Sequence, residues 1–130
     1  MAPHDPISDQ AAVAAVVTEY FQAWFAGDGD RVRTCLHPAL AKRTPREPNK
    51  SLALEEDPVE NLVAETASGE GTAHRPTQEV MVLDVFRGIA TAMVRSDPFV
   101  EYVHLARFGD RWLILNALYW ELDGNSEETG

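Results

Sequence analysis

The sequence predicts an α+β domain: three N-terminal helices packed on a strongly curved antiparallel sheet, forming a cone with an internal pocket. Two observations carry this. Apolar residues Val13, Val16, Val17, Tyr20, Phe21, Trp24 and Phe25 recur at three- and four-residue steps, the period of a helix with one broad buried face. From Thr77 to Leu122, three tight reversals separate four apolar runs rich in β-branched and aromatic residues. A helix laid over a curled antiparallel sheet encloses a space, and Tyr, His, Asn and Trp among the Val and Leu would make it a receptor for a small molecule.

In order, residues 1–7 hold two prolines and no pattern, and read as a flexible arm. Ser8 is the expected N-cap of the first helix, with Asp9 favourable in its first turn, and Gly27 is its C-terminal stop. Asp28-Gly29-Asp30 opens a shorter helix carrying Val32, Cys35 and Leu36, closed by Pro38. Ala39 to Arg43 could be a short strand, and Thr44 to Lys50 reads as a proline-rich loop. A third helix fits 55–68, with Val59, Leu62, Val63 and Thr66 on one face and Pro58 tolerated in the first turn. The strands are expected at Glu79 to Phe86, Ile89 to Arg95, Phe99 to Phe108 and Arg111 to Leu122, antiparallel neighbours because short turns join them. Residues 123–130 form an acidic tail, leaving 8–122 as a single domain.

With 130 residues the chain supports one hydrophobic core. The formal charge of -10 argues against nucleic acid, which needs clustered Lys and Arg. Lys42, Arg43, Arg46 and Lys50 are the nearest approach to a cluster, and among Pro45, Glu47, Pro48 and Asn49 they read as a solvated loop. Apolar runs such as Ala11 to Val17 are too short to span a bilayer, and no secretory pattern opens the chain. Its single cysteine, Cys35, forms no internal disulfide and fits a reducing compartment, so a cytoplasmic location is expected. Both faces of the strands are largely apolar, so the sheet needs two covers; helices supply one, and a second copy of the chain on the outer face, a homodimer, is the expected other.

Tyr20-Phe21-x-x-Trp24-Phe25-x-Gly27-Asp28, Leu36-His37-Pro38, Tyr102-x-x-Leu105-x-Arg107 and Gly109-Asp110-Arg111-Trp112-x-Ile114-x-Asn116 carry a family resemblance. Over residues 8–122 the chain resembles the nuclear transport factor 2-like superfamily, in the branch called putative lumazine-binding, near the SnoaL-like polyketide cyclases and the ketosteroid isomerases. Against the ketosteroid isomerase pattern, Tyr20 corresponds to the oxyanion-hole tyrosine, His104 to the protonated aspartate and Trp120 to a pocket-lining aromatic. The general base falls on or near Thr44, which cannot do that work at neutral pH. The resemblance therefore implies a pocket without the family's steroid isomerisation, and the superfamily spans both enzymes and binders.

If His104 faces inward, strand period places Tyr102, Ala106 and Val100 with it, and Trp112, Ile114, Asn116, Leu118 and Trp120 on the final strand. The Arg87-Gly88 turn pairs Phe86 with Ile89 and sets Asp84 across from Thr91, on one face with Met93. Tyr20, His104 and Asp84 are then the candidate catalytic residues, polarising a carbonyl or moving a proton. Trp24, Met93, Tyr102, Asn116, Leu118 and Trp120 are the candidate ligand contacts. Each has a plainer role: His104 donating to a backbone carbonyl, Tyr20 filling the cone, Asp84 solvated or paired with Arg95. His37 is expected to stabilise the end of the second helix, and Cys35 to be inert packing. His4, His37, His74 and His104 lack metal-ligand spacing, and neither a glycine-rich phosphate loop nor a nucleophile elbow is present, so no metal or cofactor is expected. The expected function is binding of a small apolar or aromatic ligand, with isomerase, cyclase or dehydratase action on a carbonyl compound as the catalytic form. A non-catalytic ligand-binding or protein-interaction module is the alternative. A shared cavity for the Tyr20 hydroxyl and the His104 ring is the condition that separates them.

Overall fold

The computed structural model describes residues 6–122. The expected acidic tail 123–130 and the first five residues of the expected arm lie outside them. Helix α1 runs from Pro6 to Ala26, α2 from Gly29 to Thr34 and α3 from Val59 to Ala67. Six strands follow the order β1 Leu36–Pro45, β2 Leu54–Glu56, β3 Gln78–Phe86, β4 Ile89–Ser96, β5 Phe99–Phe108 and β6 Arg111–Glu121. They form one open sheet in the order β2-β1-β6-β5-β4-β3. The sheet is mixed rather than wholly antiparallel, because β1 lies parallel to β6.

Helix α1 starts two residues before the expected cap. Proline suits a first turn, where the backbone nitrogen has no helical partner, so Pro6 leads and Ser8 lies inside. Gly27 ends the helix in the left-handed conformation, φ 74°, as its lack of a Cβ allows. Asp28 caps α2 by accepting a hydrogen bond from the Arg31 amide at 3.2 Å.

Leu36-His37-Pro38 begins a strand instead of closing a helix. The Ile114 amide donates to the Cys35 carbonyl at 2.9 Å, and this parallel pairing with β6 overrides the helical spacing of Val32, Cys35 and Leu36. His37 accordingly accepts from the Ala39 amide at 2.9 Å, within its own strand. Strand β2 was invisible to periodicity, since all three of its residues are exposed. It pairs Leu54, Glu55 and Glu56 with Pro45, Thr44 and Arg43, and takes the residues expected to open α3. Pro58 then caps α3, whose observed start is Val59.

The core lies between α1 and the concave face of the sheet. Val13, Val17, Tyr20, Phe21 and Trp24 meet Ala92, Val94, Val103, Leu105 and Ile114, all buried. Burial of one such side chain contributes about 1.5–3 kcal/mol. Small Ala90 and Ala92 on β4 leave room for the aromatic rows of the helix. A 3₁₀ turn, Glu70–Ala73, closes the cone beside α1. There Gly71 packs so tightly on the Trp24 backbone that any Cβ would collide with the Trp24 carbonyl. His74, just after the turn, stacks on the Trp24 ring at 5.5 Å.

Register decides which side chains enter the cone. On β5 the residues facing the helices are Glu101, Val103 and Leu105, while Tyr102 and His104 are exposed. On β6 an irregularity at Leu115 inserts one extra residue, since His104 pairs with Asn116 but Leu105 pairs with Ile114. Trp112 and Ile114 therefore face inward with Ala117 and Tyr119, while Asn116, Leu118 and Trp120 face out. The inward reading of His104 is off by one residue, which with period two turns over Tyr102 and His104 on β5 and Asn116, Leu118 and Trp120 on β6, while Trp112 and Ile114, before the irregularity, keep their expected inward place.

Candidate functional site

The interior of the cone is organised by three residues from three elements. Lys42 on β1 alternates with Leu40, so both point inward, and the ammonium is buried at 7% exposure. It donates to the Tyr20 hydroxyl of α1 at 2.7 Å and pairs with Glu101 Oε2 of β5 at 3.5 Å. The Tyr20 hydroxyl in turn donates to Glu101 Oε2 at 3.4 Å. Three rings surround the ammonium: its Nζ lies 4.9 Å from the Tyr119 centroid, 5.4 Å from Tyr20 and 5.9 Å from Phe99.

Electrostatics keep this group charged. Burial works against the Lys42 charge, but the Glu101 carboxylate and the Tyr20 oxygen outweigh it and hold the lysine pKa above its usual range. Burial, reinforced by Glu101, raises the Tyr20 phenol well above its usual range, so it remains protonated. Glu101 is fully buried, and its Oε1 has no hydrogen-bond partner among the described residues. Beside it Tyr20, Phe21, Trp24, Lys42 and Phe99 line a void of about 10 Å³, the space of one water-sized group.

Above this floor the cone opens into a cavity of about 370 Å³. Its walls include Trp24, Phe99 and Tyr119, with Lys42 at the base. Its rim is acidic: Glu55 and Glu56 of β2, Asp57, Glu65 of α3, Glu70 and Glu121. Burial pushes the Glu65 carboxyl up to about 7, helped by its hydrogen bond with Asp57 and the charges of Asp57 and Glu70, against the pull of Lys42.

Of the sequence-predicted residues, Tyr20 and Trp24 line this interior. Asp84, Met93, Tyr102, His104, Asn116, Leu118 and Trp120 lie together on the other side of the sheet. The expected pairing of Asp84 with Thr91 is present, and Thr91 pairs with His104 and His104 with Asn116, so these four form one row across the outer face. Asn116 Nδ2 lies 3.3 Å from His104 Nδ1. The inward placement of this set is corrected: the Tyr20 hydroxyl and the His104 ring share no cavity. Thr44 is bound to structure too, donating to the Tyr119 carbonyl at 2.6 Å.

Lys42 and Glu101 are the residues the sequence reading missed. With Arg46 and Lys50, Lys42 and Arg43 read in the sequence as part of a solvated basic loop, whereas both belong to β1. The available signal was parity, since Lys42 is two residues from Leu40 on the suspected strand. Glu101 is likewise the one carboxylate among the apolar residues of Phe99 to Phe108. Cys35 is buried as expected, its thiol pushed up to about 11 by burial. Among the described residues no group of three or more His, Cys, Asp or Glu is arranged to hold a metal ion. Nor, among them, is any helix long and apolar enough to cross a membrane.

Comparison with solved structures places this architecture among nuclear transport factor 2-like folds. A protein of unknown function from Silicibacter pomeroyi, described as such, superposes with a TM-score of 0.76 at 17% identity, covering 92% of this chain and 100% of that one. A second, from Shewanella baltica, gives 0.73 at 15% identity over 92% and 98%. A domain of unknown function with a cystatin-like fold, from Nostoc punctiforme, gives 0.63 at 15% over 89% and 78%. No curated protein matches the sequence. Residues 8–120 match the family described as "Putative lumazine-binding", and the chain belongs to that family.

Proposed function

We propose that the protein binds a small ligand with an apolar or aromatic body in the mouth of its cone. One observation carries this reading: an open cavity of about 370 Å³ whose aromatic walls sit over a buried, fixed Lys42–Tyr20–Glu101 group. The family's description names lumazine, a heteroaromatic compound, and the Trp24, Phe99 and Tyr119 rings are among the walls of the cavity. The separation of Tyr20 from His104 favours binding over acid–base catalysis by that pair. The test is a thermal-shift screen that includes lumazine, with each hit placed by amide chemical-shift mapping. Shifts at Trp24, Phe99 and Tyr119 are expected, and hits that map only to the outer face would refute the site.

Catalysis has one observation in its favour, the Glu65 carboxyl held near 7 beside Asp57, where it could give and take a proton at neutral pH. Any carbonyl compound found to bind should then turn over, and Glu65→Gln should abolish the turnover without abolishing binding. The outer face we assign to a second copy of the chain. Phe86, Ile89, Tyr102, Leu118 and Trp120 are all about half exposed or more, an apolar expanse that a two-fold partner would cover with the same residues. Sedimentation should find a dimer, and Ile89→Glu combined with Trp120→Glu should make it a monomer. The buried thiol of Cys35 is compatible with the cytoplasm, the location we propose.

A further inference from the structure

We propose that the cone selects a ligand carrying a protonated amine, with the amine gathered by the mouth carboxylates and directed toward the unpaired oxygen of Glu101. This rests on the ligand-binding reading above and specifies the chemistry of its guest.

Charge is the first observation. Six carboxyl groups line the cavity, on β2, at Asp57 after it, on α3, on the 3₁₀ turn and at the end of β6, against the single ammonium of Lys42. A concave, low-dielectric mouth focuses such a field and raises the local concentration of cations. An anion entering it would be repelled by the rim before reaching Lys42.

The second observation is independent of the rim. Glu101 is fully buried, and only Oε2 is engaged, by Lys42 and Tyr20. Oε1 is an acceptor without a partner among the described residues, beside a void that fits one donor of water size. A buried carboxylate oxygen left in this condition carries its desolvation penalty uncompensated, which a donor placed there would offset. The void and the mouth cavity share Trp24, Lys42 and Phe99 as walls, so the unpaired oxygen lies next to the space a ligand at the mouth would occupy.

Three matched probes test this: tryptamine, its neutral analogue indole-3-ethanol and the anionic indole-3-acetate, titrated into the full chain by calorimetry and amide chemical-shift mapping. Tryptamine should bind saturably, at least tenfold more tightly than either analogue, and shift Trp24, Phe99, Tyr119 and Glu101. Glu101→Gln should reduce tryptamine affinity several-fold, and Glu56→Gln/Glu70→Gln, at exposed rim positions, should do so without risk to the fold. Equal or tighter binding of the neutral or anionic probe in the cone would overturn the amine preference while leaving the cone as the site. If none of the three perturbs the cone, the amine preference and the ligand-binding reading both fall.

Discussion

The ammonium of Lys42 and the hydroxyl of Tyr20 meet at 2.7 Å across the interior of the cone, joining the first strand of the sheet to the long helix. Glu101 completes the contact, so the most polar atoms of the interior depend on one another. Removing one charge of such a group leaves the other stranded. Lys42→Ala should therefore cost about 3–5 kcal/mol in urea unfolding. Lys42→Met combined with Glu101→Leu should recover most of that loss, because both charges are then gone.

Tyr20 and His104 sit on opposite faces of the sheet, and their effects should be independent. Tyr20→Phe removes the acceptor of the Lys42 hydrogen bond and should cost about 1–3 kcal/mol. Paired with His104→Ala, the two changes should add within about 0.5 kcal/mol in a double-mutant cycle. A larger coupling would contradict the separation of the faces.

Glu65 predicts a pH dependence. Its carboxyl moves from the ordinary 4.5 to about 7 in the fold. Between those values the folded chain keeps a proton that the unfolded chain has released. Stability should therefore fall as pH rises from about 4.5 to about 7 and carry the full penalty above that. Glu65→Gln lacks this penalty. It should match the parent protein near pH 4.5 and exceed it by on the order of 1 kcal/mol at pH 8, after allowance for solvent screening. Thermal unfolding across that range measures it.

Gly71 admits no side chain, because an added Cβ meets the Trp24 backbone. Gly71→Ala should destabilise by about 1–3 kcal/mol through overpacking. Since the displaced backbone belongs to Trp24, the same variant should also weaken any ligand held at the cone mouth. A variant with unchanged melting temperature would show that the 3₁₀ turn moves freely from the helix.

Much of the fold was legible because periodicity reports burial. The seven helical positions from Val13 to Phe25 and the three reversals after Phe86, Ser96 and Phe108 found α1 and β3 to β6. What escaped was set by pairing rather than pattern. Strand β2 is exposed on all three residues, and Leu36 to Pro38 becomes strand because β6 lies alongside. Asp84, His104 and Asn116 are expected on one face and do share one, but it is the outer face, where Thr91 joins them in a row. Both faces of these strands are apolar, so hydrophobicity alone could not choose between them. Glu101 and Lys42, a buried pair of opposite charge on strands whose neighbours are apolar, were the residues that could have chosen.

The extra residue at Leu115 has an evolutionary consequence. Pairing on its N-terminal side puts Trp112 and Ile114 in the core, and pairing on its C-terminal side puts Ala117 and Tyr119 there. Loss of the Leu115 codon would remove the irregularity and leave Ile114, Ala117 and Tyr119 facing the cone, because His104 and Leu105 already pair with Asn116 and Ile114 on either side of it. The lining of the cone is thus insulated from the bulge: a residue can be lost there without exchanging the inner and outer rows of the strand.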